Sequence, residues 1–325
     1  MGIITNVTEG VIKKAAKALK DGHLVAFPTE TVYGLGADAT NEKAVNRIYS
    51  VKGRPADHPL IVHISSIKQL DKWAIDIPEY AIKLASKFWP GPMTLILKRN
   101  ELAKDFITGG QENVGLRIPS HPVALELLKT FKKIGGNGIS APSANIFGAV
   151  SPTTTDAVVD GIGKFLHKAD FILNGGQCDI GVESTIIDCT KDIPVILRPG
   201  AVTLEMISRL ISKKINIFND SNIRAAGLFN SHYAPMAKVI LNDIANPGDG
   251  YIAMAQYTTP KGCIRLSSPL DVMEFARDFY EALRLADKIG LKKIIVVEPA
   301  GNGLALAIRD RIKKAAAENK ISFNH

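Results

Sequence analysis

Phe27-Pro28-Thr29-Glu30-Thr31-Val32-Tyr33-Gly34-Leu35-Gly36 is the densest stretch of this 325-residue chain. With the apolar residues before it, Leu24–Pro28 reads as a strand that ends at a proline. Thr29 and Thr31 follow, each able to donate and to accept a hydrogen bond. Gly34 and Gly36 then read as turn glycines, where backbone can approach a ligand closely. Alone, this is a strand–loop–helix corner. Downstream, the spacing predicts helices over 43–51, 77–88 and 122–133, the last with Leu125, Leu128 and the stem of Lys129 on one face. Strands are predicted over 60–64, 94–97, 114–118, 139–141, 171–173, 184–188 and 195–197, and Pro90-Gly91-Pro92 breaks the second helix. Upstream, Lys13, Lys14, Lys17 and Lys20 mark the solvated face of a first helix, opposite Val11, Ala15, Ala18 and Leu19. Alternating strands and helices argue an α/β domain.

After a helix at 204–211 the pattern loosens, and residues 213–235 hold few periodic apolar positions. That segment reads as a linker long enough to fold back over the first domain. A second pattern follows: strands at 238–241 and 250–254, a helix at 271–289 capped by Asp271, a strand at 292–298 and a helix at 304–317. Strand–strand–helix–strand–helix describes a small Rossmann-like module, and it carries no glycine fingerprint. The expected division is a first domain at 1–208, a linker or lid at 209–236 and a C-terminal domain at 237–325.

Composition excludes several classes. Charged residues at 22% and apolar residues at 46% describe a folded chain rather than a disordered one. No apolar run approaches the roughly 20 residues of a membrane span, and no secretory leader is expected, because the first residues lack a basic stretch and an apolar core. Cys178, Cys189 and Cys263 form no metal-type spacing and no disulfide framework, so a reducing, cytoplasmic setting is expected. The net charge of +8 divides into +3 over residues 1–200 and +5 over the rest. Such thin spreading favours small anionic ligands over a nucleic-acid footprint.

The candidate chemistry lies in cations placed against apolar strands. Lys52-Gly53-Arg54-Pro55 reads as an irregular basic segment just before a buried strand, where lysine and arginine could converge on one phosphate or carboxylate. His58 stands in that loop, and His63 on the strand itself. Arg117 lies inside Val114-Gly115-Leu116-Arg117-Ile118, and a buried guanidinium needs an anion. A structural carboxylate or a ligand carboxylate would serve equally. Arg198 repeats the theme. Hydroxyl-rich loops accompany these cations: Ser140-Ala141-Pro142-Ser143-Ala144-Asn145, Ser151-Pro152-Thr153-Thr154, and Glu183-Ser184-Thr185. The second of these reads as a helix start with a threonine cap. P-loop, zinc, nucleophile-elbow and dinucleotide fingerprints are absent. This inventory suits a polyanion together with a small zwitterion.

These blocks, taken in order across roughly residues 11–204, resemble the YrdC-like family, in particular its long two-domain threonylcarbamoyl-adenylate synthases. His232-Tyr233-Ala234-Pro235 is similar to the end of that family's interdomain linker, and Arg309-Asp310-Arg311 to part of its second domain. The resemblance implies a twisted, open α/β sheet with a concave basic face, followed by a small Rossmann-like domain. It implies a nucleotidyltransferase that joins L-threonine, bicarbonate and ATP into threonylcarbamoyl-adenylate and releases pyrophosphate, for modification of a tRNA adenosine beside the anticodon. By carry-over, Thr31, His63, Arg117, Ala141 and Ser184 would hold L-threonine. Arg54, His58, Asn113, Ser143, Ser151, Arg198 and Tyr233 would hold ATP, and Lys52 with Arg54 would act at the reacting phosphate. Mg2+ would ride on the ATP phosphates without a protein cage. Other proteins would carry the product to tRNA, with no need for tRNA to bind this chain and no membrane. An RNA-binding module and a carbamoyl-group hydrolase are the competing readings; the even charge split argues against the first, and the lack of acylphosphatase-like and zinc-finger-like segments against the second.

Overall fold

The computed structural model describes residues 3–217, 223–227 and 233–317. Among them, fifteen strands form two sheets. The first sheet contains β1 (Ile3–Asn6), β2 (Val25–Phe27), β3 (Gly34–Asp38), β4 (Ile61–His63), β5 (Met93–Lys98), β6 (Asn113–Arg117), β7 (Ile139–Ser140), β8 (Phe171–Asn174), β9 (Thr185–Asp188), β10 (Val195–Arg198) and β11 (Asn216–Ile217). Its order is β1-β8-β2-β3-β7-β4-β6-β5-β9-β10-β11, with parallel and antiparallel neighbours mixed. The second holds β12 (Lys238–Leu241), β13 (Gly250–Ile252), β14 (Ile264–Ser267) and β15 (Lys293–Val296) in the order β12-β15-β13-β14, parallel throughout.

Period-two alternation shows at once in β2. Val25 and Phe27 join a cluster with the helices Glu9–Lys20 and Pro122–Lys133, whereas Leu24 and Ala26 join the larger cluster containing Val45, Ile48 and Leu84. The helices begin where side chains can cap them: Thr8, Asn41, Thr154, Thr203 and Asp271 each accept a backbone N–H of the first turn. Gly53 closes the helix Glu42–Lys52 in the left-handed conformation at φ 59°. The core of the C-terminal half is not self-contained. Its apolar cluster takes in Val32, Val150 and Val182 from the first half and Tyr233 from the connecting segment.

The structure corrects the sequence reading in five places. Gly34 and Gly36 are not turn residues; they lie in β3, antiparallel to β2. The buried face of Pro122–Lys133 runs through Ala124, Leu127, Leu128 and Phe131, while Leu125 is half-buried and Lys129 exposed. The expected linker contains a sheet strand, because Asn216 and Ile217 pair with Val195 and Ile196. The second module has one more strand than expected, β14. Finally, Lys52 belongs to the end of a helix rather than to an irregular segment.

Glycine in β3 answers a steric demand. A Cβ on Gly36 would stand 2.7 Å from Ile139 Cγ2 and 2.8 Å from Phe27 Cε1, both fully buried side chains. We expect Gly36→Ala to lower the unfolding free energy by about 1–3 kcal/mol, the usual cost of overpacking a close-packed site. Urea unfolding checks this: the midpoint should fall with an unchanged m-value.

Candidate active site

One cavity gathers the strand ends. Its walls come from Thr31–Gly34 before and at the start of β3, Ile61 and His63 of β4, Arg117 at the end of β6, and Ala141–Ser143 after β7. Glu183 and Ser184 before β9, and Arg198 at the end of β10, complete the sheet side. Ala226, Gly227 and Tyr233 of the connecting segment form the remaining wall. Of the thirteen residues expected in the site, Thr31, Arg54, His63, Arg117, Ala141, Ser143, Ser184, Arg198 and Tyr233 line this cavity.

At one end stands a compensated cation. Arg117 Nη2 donates to Glu30 Oε1 at 2.6 Å and to Thr31 Oγ1 at 3.0 Å, and Nε donates to Gly91 O at 3.3 Å. The other Glu30 oxygen accepts the Ser120 N–H at 2.9 Å. A structural carboxylate therefore answers the need for an anion at Arg117, while Nη1 forms no hydrogen bond among the described residues. Thr29 Oγ1 donates to Val32 O at 2.7 Å, so at its 2.8 Å contact with Thr31 Oγ1 it accepts. Thr31 thus donates to Thr29 while accepting from Arg117. Beside them His63 is buried, with Nδ1 lacking a partner among the described residues. Burial first, and then the Arg117 charge, push its pKa down to about 3, so the imidazole is neutral near pH 7.

The other end holds two cations that make no ion pair among the described residues. Arg198 donates from Nε to Ser184 O at 3.0 Å, from Nη2 to Ser184 Oγ at 3.1 Å and from Nη1 to Ala226 O at 2.8 Å. Arg54 donates to Pro59 O at 3.0 Å and lies 5.7 Å from the Phe147 ring centroid. Burial lowers the pKa of both guanidinium groups, that of Arg54 to about 10. Burying a guanidinium with only neutral partners costs several kcal/mol, and an incoming polyanion relieves that cost.

Four expected residues lie outside the cavity wall. Lys52 is buried behind it, donating to Ser143 O at 2.6 Å and Asn145 O at 2.5 Å. It therefore fixes the 143–145 loop and is not among the residues that line the cavity with Arg54. His58 packs on Phe147, with ring centroids 5.2 Å apart. Asn113 lines a separate hollow with Pro59, Arg224 and Ala226. Ser151 donates to Glu183 Oε1 at 2.7 Å. His232 lies outside the described residues. Sequence reasoning assigned no role to Glu30, Glu183, Ala226 or Gly227. The two glutamates carry a legible signal, since a carboxylate beside an apolar strand must find a cation.

Tyr233 is held tightly. Its φ of 62° is a left-handed value, unusual for an aromatic residue. Its ring stacks on Tyr280 with centroids 5.7 Å apart, and the next residue donates its N–H to Gly148 O at 3.0 Å. A Cβ on Gly227 would stand 2.1 Å from the Tyr233 hydroxyl, so only glycine admits this approach.

A mixed open sheet whose strand ends and loops enclose three arginines, the hydroxyls of Thr31, Ser143 and Ser184 and a neutral histidine defines the YrdC-like class of nucleotide-using α/β folds. Comparison gives the family. Residues 17–200 match the family model of Sua5, YciO and YrdC, described as "Telomere recombination", and residues 202–317 match that described as "Threonylcarbamoyl-AMP synthase, C-terminal domain". The chain is 41% identical to threonylcarbamoyl-AMP synthase of Pyrococcus abyssi, over 97% of this chain and 98% of the other. It is 38% identical to the enzyme of that name from Bacillus subtilis, over 94% and 92%. The crystal structure of P. abyssi Sua5 complexed with L-threonine superposes with a TM-score of 0.86 at 38% identity, covering 97% of each chain. The chain belongs to the two-domain threonylcarbamoyl-AMP synthase family.

Acid should unfold this protein through the site. His63, near 3 when folded and 6.5 by its ordinary value, binds its proton only in the unfolded chain between those limits. Stability falls as pH drops through that window, by up to about 1.4 kcal/mol per pH unit for one group. Glu183 adds to the loss below its ordinary 4.5, because Arg311, Arg198 and Ser151 outweigh the burial that would raise it and hold it at about 2. Chemical denaturation of His63→Gln between pH 7 and pH 4 should show a slope shallower by about one proton; an unchanged slope would show that His63 is not neutral in the fold.

Proposed function

We propose that this cavity makes threonylcarbamoyl-adenylate from L-threonine, bicarbonate and ATP, and that the buried, unpaired Arg54 and Arg198 beside the Glu30-compensated Arg117 are the observation that carries the reading. The two ends differ in charge as the two substrates differ. A zwitterion brings one carboxylate and one amine. It suits Arg117, whose Nη1 is open, with Thr31, neutral His63, Ala141 and Ser184 around it. A triphosphate brings several negative charges, which suit Arg54, Arg198 and the amides and hydroxyl of the Ser143 loop, under Tyr233. His58, Asn113 and Ser151 support this end from behind: His58 through Phe147, Asn113 through the Ala226 hollow and Ser151 through Glu183.

The chemistry follows from placement. The threonine nitrogen attacks the carbon of bicarbonate, and loss of water leaves a carbamate. A carbamate oxygen then attacks the α-phosphorus; the bond to the bridging oxygen breaks, and pyrophosphate departs with that electron pair. Holding the two reactants in line supplies much of the rate, and fixed guanidinium groups stabilise charge spreading over the phosphate oxygens. His63, with a pKa of about 3, is too weak a base to take the amine proton at neutral pH, so its part is to accept a hydrogen bond and orient. Lys52 acts through the loop it holds and Arg54 by direct contact with the phosphates.

No group of three or more His, Cys, Asp and Glu side chains gathers among the described residues. Glu30 and Glu183 are both occupied by arginine. The cavity therefore offers Mg2+ no carboxylate cage, and the ion would arrive on the ATP phosphates with water ligands. Residues 1–208 would form the catalytic domain, 209–236 the lid and 237–325 the C-terminal domain. The product would pass in the cytoplasm to separate proteins that transfer the threonylcarbamoyl group to tRNA. No helix among the described residues is long and apolar enough to cross a membrane.

Purified protein should release pyrophosphate from ATP only when L-threonine, bicarbonate and Mg2+ are all present. Pyrophosphate release of equal rate without any amino acid overturns the assignment. Arg117→Lys keeps the charge but loses the planar fork. Calorimetry should show threonine affinity reduced by about tenfold or more, on the scale of 1.5–3 kcal/mol for a charged hydrogen bond, with ATP affinity retained.

A further inference from the structure

Glu183 is part of the cavity wall, yet its carboxylate is held largely by the C-terminal half. Arg311, on the helix Leu304–Ala316, is fully buried and donates from Nε to Glu183 Oε2 at 2.7 Å. Its Nη2 donates to Pro199 O at 3.1 Å, next to Arg198. The face of the guanidinium lies 5.4 Å from the Tyr233 ring centroid. Tyr280, on the helix Val272–Lys288, donates to the same Glu183 oxygen at 2.9 Å and stacks on the Tyr233 ring. Lys314, one helical turn beyond Arg311, donates to Gly227 O at 2.7 Å. Every one of these bonds ends on a group that adjoins Ser184, Arg198, Gly227 or Tyr233. Contacts of this kind to Glu30, Thr31 or Arg117 are absent among the described residues.

The asymmetry has a physical consequence. Tyr233 occupies a left-handed backbone conformation that an aromatic residue leaves readily unless its surroundings hold it. Beside the Gly148 carbonyl that accepts the next N–H, two side chains pack on its ring, Tyr280 and Arg311. Both belong to the C-terminal half, as does Lys314, which fixes the carbonyl of the glycine that packs against the Tyr233 hydroxyl. We propose that Arg311 is a positioning residue through which the C-terminal domain sets the nucleotide end of the cavity, clamping Glu183 and Tyr233 while making no hydrogen bond, among the described residues, to the Glu30, Thr31 and Arg117 group that faces threonine. The proposal rests on the functional reading above and deepens it: the second domain acts as a structural wall of the ATP site. Because binding linkage is reciprocal, ATP in turn holds the domain in place.

Calorimetry on the full chain separates the two ends. Arg311→Lys keeps a positive charge but loses the flat face over Tyr233 and the second donor to Pro199. ATP affinity should fall about tenfold, the equivalent of about 1.4 kcal/mol, while threonine affinity stays within twofold of the parent, a margin that coupling between sites would exceed. Tyr280→Phe, which removes only one hydroxyl from Glu183 and keeps the ring stack, is the gentler variant if Arg311→Lys does not fold. It should lower ATP affinity by about threefold, in the range for neighbours in one network. A folded variant with unchanged ATP affinity, or one that loses ATP and threonine equally, overturns the clamp. A parent protein that binds no ATP at all overturns the functional reading, and the clamp with it.

Discussion

Two buried guanidinium groups without a carboxylate impose most of what surrounds this cavity. Arg54 and Arg198 must satisfy their donors on carbonyls, and a carbonyl is offered only where backbone leaves its ladder. The loop after the helix Glu42–Lys52, the turn before β9 and the connecting segment at Ala226 all present such carbonyls. The connecting segment is thus drawn onto the sheet by a cation that needs it. A carboxylate at either arginine would relieve that requirement and remove the positive potential that a phosphate chain meets.

The same economy of charge separates the two ends of the site. Glu30 neutralises Arg117 and fixes its direction, so a single ligand carboxylate finds a shaped donor rather than a large field. His63 stays neutral between them, because burial and the adjoining arginine both oppose a second positive charge. Glu183 plays the opposite part. Its negative charge is bound to Ser151, Tyr280 and Arg311, and it joins two domains whose apolar cores already merge around Tyr233. Polar bonds set direction there, and apolar burial supplies adhesion.

Much of this was legible in the residues. Apolar runs at 60–64, 94–97, 114–118 and 195–197 became β4, β5, β6 and β10 with shifts of a residue or two at their ends. Helix starts with threonine, asparagine or aspartate were written in the sequence, as Thr154 and Asp271 illustrate. The misread places share a cause: tertiary packing decided them. Gly34 and Gly36 carry no strand preference of their own, and only Phe27 and Ile139 pressing on both sides make β3 from them. Asn216–Ile217 is too short to announce itself, and it exists because β10 leaves an edge to pair with. Ile264-Arg265-Leu266-Ser267 hides its strand behind an arginine whose donors return to its own loop. Nine of the thirteen expected site residues do meet in one cavity. Lys52 failed to meet them because no spacing rule tells whether a lysine at a helix end turns outward to a ligand or inward to bare carbonyls.

The edge strand β1 has a consequence for biosynthesis. Among the described residues Ile3–Asn6 pairs only with Phe171–Asn174, so this strand waits for a partner some 168 residues downstream. At about 5–20 residues per second on the ribosome, that wait is on the order of ten to thirty seconds. During it the neighbouring helix Glu9–Lys20 must keep its alanine-rich face from other chains, since its packing partner Pro122–Lys133 also emerges late. The lysines along that helix then serve the nascent chain before they serve the finished one, as a charged flank that discourages association while the sheet is still open at its edge.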